Sequence, residues 1–421
     1  MASSEVTSAL KKLESSSTSQ QDKLPGYNDL LEKIIATPDK AHLGSSLTAF
    51  IDSILGDNLG IVNARPLLKT AVEAIRSISD IDNKISAGNH ALQTLEPRVV
   101  SFEEQDATIR EVLADAYQEN DEFLEAARML QGIQLESSQR RISDDSKVKT
   151  WIRICRLFLE EDDTTSAETY LNRAKNLLYK VNDQELNLQF QLSQARILDA
   201  RRNFIEASQV YHTFSFSTLL EESERLRALS SAVVCAILAP AGPQRSRNLA
   251  KLYKDERSPQ MEEFGILEKM FLDRLLTSKE VAAFADKLAP HQLAETADGS
   301  TVLAKAVTEH NLLAASRLYN NIGIAELGLL LDLEPEKAEE YASRMLEQGR
   351  VTGHIDQING MIFFDGRGGN GERVNTGYTN GAVRTELRGW DFKVQGITEE
   401  VERVSSMLQA QYPEFVAKAG A

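Results

Sequence analysis

Two cysteines, Cys155 and Cys235, are all that 421 residues provide. Both lie within apolar, helically spaced stretches. That excludes a disulfide-stapled secreted scaffold and points to a reducing compartment, where they act as small buried hydrophobes. Long apolar runs are also missing. The most apolar stretch, Ala228 to Gly242, is short and interrupted by Ser and Pro, and it reads as a buried helix rather than a bilayer span. The polar, Ser-rich beginning has no hydrophobic core of a signal peptide, so the expected location is the cytoplasm and nucleus. An excess of positive charge is absent too. The net charge is −16 and the pI about 5.0, which argues against a general affinity for nucleic acid or anionic membranes.

Signatures of chemistry are equally scarce. None of the six histidines forms His-x-His or HExxH, so the spacings of metal hydrolases are missing. His310 lies on an apolar helical face and reads as structural. There is no nucleophile elbow and no P-loop. Gly366, Gly368 and Gly371 spell G-x-G-x-x-G after an apolar strand, but no helix follows and no βαβ unit surrounds them. Expected are no catalytic residues, no metal and no cofactor.

What the chain does have is helical periodicity, from about Leu24 to Pro290, with little strand-like alternation. Three stretches repeat: LADAYQENDEFLEAARML, ICRLFLEEDDTTSAETYL and ARILDARRNFIEASQVY. Ala126, Ala167 and Ala207 hold equivalent places, 41 and 40 residues apart, and Tyr117 and Phe158 are also 41 apart. A helix pair cannot bury its apolar face alone, so such units stack and a small residue lets them approach.

After Pro290 the pattern becomes helix, helix, helix, hairpin. Leu303, Ala306, Val307, His310, Ala314 and Leu318 share one helical face. Pro335 is placed to open a helix after a turn at 332–334. Ala338, Tyr341, Ala342 and Met345 follow at helical spacing, and Gly349 can close that helix in a left-handed conformation. Asn359-Gly360 between two apolar runs signals a hairpin. This is the order of a winged helix. From Ile322 to Phe364, however, eight acids face three bases, and the recognition-helix position opens Glu-Pro-Glu-Lys-Ala-Glu-Glu. Acids there repel phosphates, so a protein-binding winged helix is expected. The apolar strand Met361, Ile362, Phe363 and Phe364 reads as an unpaired edge open to a partner, with about half of these residues packing inward.

A Gly/Asn-rich stretch over 366–390 reads as a mobile loop. In the last segment Thr398 reads as an N-cap. Ile397, Val404 and Gln411 repeat every seven residues, as do Val401, Leu408 and Phe415, a seam for partner helices. Two basic stripes sit at i, i+4, i+7: Lys149, Arg153 and Arg156, with Arg140 and Arg141 just upstream, and Arg247, Lys251 and Lys254. Either is a solvated face or a dock for an acidic surface.

The runs Asn248–Leu276 and PHQLAETADGSTVLAKAVTEHNLLAASRLYNNI (Pro290–Ile322), continuing through HIDQINGMIFF, resemble PCI-domain subunits of the COP nine signalosome. The resemblance is close over about 120 residues. It implies a mainly α fold: a right-handed stack of TPR-like helical repeats, then a winged-helix (PCI) subdomain and a C-terminal helix. The expected organisation is a flexible tail (1–20), a repeat domain (21–290), the winged helix (291–365), the loop (366–390) and an assembly helix (391–421). It also implies a non-catalytic scaffold. Neighbouring PCI and MPN subunits associate through winged helices and a bundle of C-terminal helices. The complex removes Nedd8 from cullin-RING ligases, with the metal-dependent isopeptidase in another subunit. Arg140, Arg141, Lys149, Arg153 and Arg156 fall in the arm expected to contact the cullin. Met361, Ile362, Phe363, Phe364, Ile397, Val401, Val404, Leu408 and Phe415 are the candidate subunit interface. Neither nucleic acid nor membrane is an expected partner. The alternative is a PCI subunit of the proteasome lid or a translation initiation complex. The loop over 366–389 is longer than the family pattern implies.

Overall fold

The computed structural model describes residues 4–15, 20–36, 43–56, 59–136, 142–294 and 299–364, and ten positions between 390 and 407. The architecture is mainly helical, with a small three-stranded sheet near the C-terminal end. The chain forms two compact units, Met1–Cys235 and Ala236–Ala421.

The first unit begins with α1 (Ser4–Ser15), α2 (Gln20–Ala36), α3 (Leu43–Leu55), α4 (Ile61–Arg76) and α5 (Ile81–Leu95). The expectation of a flexible tail over 1–20 is therefore corrected. Val6, Ala9, Leu10 and Leu13 recur at i, i+3, i+4 and i+7, and this stripe packs on the core with Leu10 buried. The polar Ser-rich composition concealed the periodicity.

The repeats follow as helix pairs: α6 (Glu103–Glu119) with α7 (Phe123–Gln131), α8 (Asp144–Glu160) with α9 (Thr164–Leu178), and α10 (Gln184–Ala200) with α11 (Phe204–Phe214). Ala126, Ala167 and Ala207 each have 0% of their surface exposed, so no larger side chain fits at these crossings without displacing a neighbour. Each pair turns on the same corner. Asp121, Asp162 and Arg202 adopt left-handed φ values of 59°, 58° and 64°. The amide of the next residue then donates back to Tyr117, Phe158 and Leu198, at 2.9, 3.0 and 2.9 Å. This satisfies a carbonyl that the helix end would leave open. The sequence repeat of 41 and 40 residues is thus a repeat of corners as well as of small residues. Asp163 then caps α9 by accepting from the amides of Thr165 and Ser166. Burial pushes the Cys155 thiol up to about 12 and raises that of Cys235 as well. Both stay protonated and serve as core atoms.

In the second unit come α13 (Pro243–Tyr253), α14 (Phe264–Phe271), α15 (Ser278–Ala285) and α16 (Val302–Leu318), after α12 (Glu222–Leu238), in which the division between the units falls. α13 and the segment after α14 belong to this unit and are bonded directly to α16, as described below. Then follow β1 (Asn321–Gly323), α17 (Ile324–Leu331), α18 (Pro335–Glu347), β2 (Gly353–Asp356) and β3 (Met361–Phe364). The sheet is antiparallel with order β1-β3-β2. Together with α16–α18 it makes the winged helix, around a core of Leu312, Leu327, Ala338, Ala342, Ile362 and Phe364. Among the described residues no helix is long and apolar enough to cross a membrane.

A left-handed residue costs about 1–2 kcal/mol unless it is Gly, with Asp among the side chains that tolerate it best. Asp162→Val is expected to lower the melting temperature of the first unit by several degrees, and Asp162→Gly to leave it unchanged or raise it. Calorimetry of both variants checks this; equal effects would mean that the corner carries no strain.

Candidate partner-binding surfaces

The placement of the wing begins with three consecutive polar residues of α16. All are buried, and each has defined partners. Glu309 accepts from the Ala241 amide at 3.0 Å and from the Arg350 guanidinium at 2.7 Å. His310 donates through Nε2–H to the Arg274 carbonyl at 2.8 Å, leaving Nδ1 to accept from Arg245 at 3.2 Å. Asn311 holds both the N–H and the C=O of Leu276, at 2.9 and 3.1 Å. Arg245 also donates to the Ala239 carbonyl at 3.1 Å. A buried charge requires such partners, and here they tie α13, the segment after α14 and the start of the wing to one helix. Burial first, and then the Arg245 charge, push His310 down to about 4. Burial lowers Arg245 to about 10, opposed by Glu309. At neutral pH His310 is uncharged and Arg245 is protonated. His310 is a structural residue, as its sequence setting implied.

Gly349 ends α18 with φ +66°. The amides of Gly349 and Arg350 bond back to Leu346 and Met345, and this delivers Arg350 to Glu309. The hairpin forms where Asn359-Gly360 signals it, but through a four-residue loop. Asp356 accepts from the amides of Ile358 and Asn359 and from the Asn359 side chain, which holds its carboxyl below the usual range. Gly353, at φ +156°, lies so close to β3 that a Cβ would stand 2.1 Å from the Phe363 carbonyl oxygen.

The expectation that Met361–Phe364 is an open edge is corrected. β3 is the central strand, because Asn321–Gly323 pairs with its other side. Three residues between helices gave no strand pattern to read. Ile362 (0% exposed) and Phe364 (6%) belong to the core. Each gains about 1.5–3 kcal/mol by burial and is committed to the fold. Met361 and Phe363 point the other way and are half-buried, with Phe363 stacked on His354 across the strands at 4.9 Å. The most exposed apolar residues of this module are Ile358 at the wing tip (96%) and Leu329 on α17 (85%).

Trp390, Lys393, Val394, Ile397, Thr398, Glu400, Val401, Arg403, Val404 and Met407 are all helical. Thr398 is therefore not an N-cap: its hydroxyl donates to the Val394 carbonyl at 2.8 Å, four residues back inside the helix. Trp390, Val394, Ile397, Val401 and Val404 follow one another at alternating spacings of four and three, and all are exposed. The seam thus extends upstream of the expected start at 391. Its first two residues, Trp390 and Val394, keep the same spacing, but the N-cap reading of Thr398 placed the helix start after them. Leu408 and Phe415 lie outside the described residues.

On the first unit, Lys149 and Arg156 are exposed. Arg153 is held by Asp115 at 2.5 Å and by Gln118, so its charge is largely answered within the fold. Arg140 and Arg141 lie outside the described residues. Among the described residues no cluster of His, Cys, Asp or Glu could hold a metal ion.

A family model described as PSMD12/CSN4, N-terminal, matches residues 5–223, and the PCI domain model matches residues 281–365. The chain is 54% identical over 415 residues to COP9 signalosome complex subunit 4 of Emericella nidulans, covering 97% of this chain and 98% of the relative. The chain belongs to the COP9 signalosome subunit 4 family. The proteins of that name from Neurospora crassa and Drosophila melanogaster are 46% and 38% identical, over 99% and 94% of this chain and 98% and 93% of theirs.

The low pKa of His310 gives the second unit a pH dependence. From pH 6.5 down to about 4 the unfolded chain takes up a proton that the folded chain refuses. The stabilisation is therefore complete above pH 6.5 and declines as pH falls, by up to about 3 kcal/mol. His310→Gln, which keeps a donor and an acceptor, is expected to be less stable at pH 7.5 and to close that gap by pH 4.5. A gap constant with pH in paired melting curves would assign the slope to other groups.

Proposed function

We propose that this protein is a non-catalytic scaffold subunit of the signalosome. It organises neighbouring PCI and MPN subunits in the complex that removes Nedd8 from cullin-RING ligases, and it works in the cytoplasm and nucleus. The observation that carries the reading is the C-terminal helix. Five large apolar side chains in heptad spacing stand 42–67% exposed on it. A helix with such a stripe gains its stability from partner helices. Names and lengths of the relatives support the assignment to the signalosome over a proteasome-lid or initiation-factor assembly with the same fold. The acidic opening of α18, with Glu334, Glu336 and Glu340 exposed, supports a winged helix that binds protein rather than DNA. Subunit contacts are assigned to Met361 and Phe363 on the outer face of the sheet and to Ile397, Val401, Val404, Leu408 and Phe415. Ile362 and Phe364 support these contacts from within. The cullin contact is assigned to the exposed Lys149 and Arg156, with Arg140 and Arg141.

Val401→Asp with Val404→Asp is expected to abolish co-purification of the other subunits while the melting temperature of the isolated chain stays within about a degree. A collapse of the isolated chain would instead make the seam part of its own core. In reconstituted complex, Lys149→Glu with Arg156→Glu is expected to weaken cullin binding severalfold at low salt; unchanged affinity would reduce the stripe to a solvated face. The purified chain alone, with or without zinc, is expected to release no Nedd8 from a modified cullin.

A further inference from the structure

The second basic stripe has no part in the assembly reading. From Pro243 to Lys254 the sequence holds four bases and no acid, within a chain of 63 acids and 47 bases. The structure divides them. Arg245 turns inward to His310, while Arg247, Lys251 and Lys254 are exposed. Among the described residues none of these three is ion-paired. Beside them lies a cleft of about 410 Å³ between α13 and α14. Arg247 stands on one wall and Arg317 on the other. Leu249 and Met270, each 2% exposed, and Phe271 form an apolar floor. The one acid in the lining, Asp273, is ion-paired to Arg317. Leu272 (40%), Leu318 (64%) and Tyr319 (44%) add exposed apolar surface next in sequence to these lining residues.

We propose that this cleft docks an acidic peptide segment of a partner protein, with one apolar side chain on the Met270–Phe271 floor and its carboxylates against Arg247 and Lys251. Charge selects the partner: three exposed bases without ion-pair partners among the described residues attract carboxylates. The rings select peptide over nucleic acid. Phe271 stacks on Tyr253 at 4.5 Å, and Tyr253 stacks on Phe264 at 5.8 Å. The ring faces that would receive unstacked bases are thereby turned to one another. An apolar floor ringed by bases reads an anchor residue flanked by acids.

The test is fluorescence anisotropy with the full-length chain and the labelled peptide Glu-Asp-Glu-Leu-Phe-Glu-Asp-Glu at low salt. The expected result is saturable binding, weakened at least about tenfold by Arg247→Glu with Lys251→Glu and left intact by Lys149→Glu with Arg156→Glu. A peptide with Ser-Ser in place of Leu-Phe is expected to bind at least about fivefold more weakly. Lys251→Glu with Lys254→Glu serves as a second variant, should the first lower the melting temperature. Equal binding by both double variants of α13 would overturn the proposal. So would equal binding of the Ser-Ser peptide, or displacement of the probe by a single-stranded oligonucleotide at matching concentration.

Discussion

Much of the second unit depends on a run of three side chains that a hydropathy plot would pass over. Glu309, His310 and Asn311 occupy consecutive positions on α16, and consecutive positions on a helix point in three directions. One reaches the start of the wing and the Ala241 backbone, one reaches Arg245 and the Arg274 carbonyl, and one clasps Leu276. Hydrogen bonds in a dry interior tolerate little misplacement, because a partner lost is a desolvated group left unpaired. A greasy helix could slide against its neighbours at small cost; a helix with three directional bonds holds one register. The wing, α13 and the segment after α14 thereby take their positions from α16, and whatever the wing presents to other proteins inherits that precision.

The stretch around EHNLL is accordingly constrained at nearly every position. Its polar letters have specific receivers elsewhere in the chain, and its two leucines, Leu312 and Leu313, enter the core. Changing one letter strands its receiver. The helical repeats operate under looser rules. Their invariant needs are a small residue at each crossing and a corner residue that accepts a left-handed backbone, and many sequences meet those needs.

Legibility in the sequence followed the range of the interactions involved. Helices, the 41- and 40-residue repeat, the turn before Pro335, the Gly349 stop and the hairpin are local, and their signals were sufficient. What sequence could not give came from partners far along the chain. β1 is three residues long and exists because β3 offers it a ladder. Arg245 sits in a basic stretch that reads as surface, yet it is buried because His310 and the Ala239 carbonyl receive it. Arg153 looked available until Asp115, 38 residues earlier, came beside it. The helical start of the chain was in principle readable, since Val6, Ala9, Leu10 and Leu13 keep a regular period; serine content outweighed it. On the candidate surfaces, the C-terminal seam was visible as a heptad, whereas the wing's inner and outer residues needed the strand order.

The central place of β3 has one more consequence. A scaffold subunit is made singly and must wait for its neighbours, and during that wait an open β-strand rich in Ile and Phe would recruit its own kind. Here that strand is enclosed on both sides, and the outer strands of the sheet, Asn321–Gly323 and Gly353–Asp356, are three and four residues long with a glycine in each. Such strands are too short and too polar to template a ladder. The strand best suited to recruit a second copy is thereby withdrawn from that role.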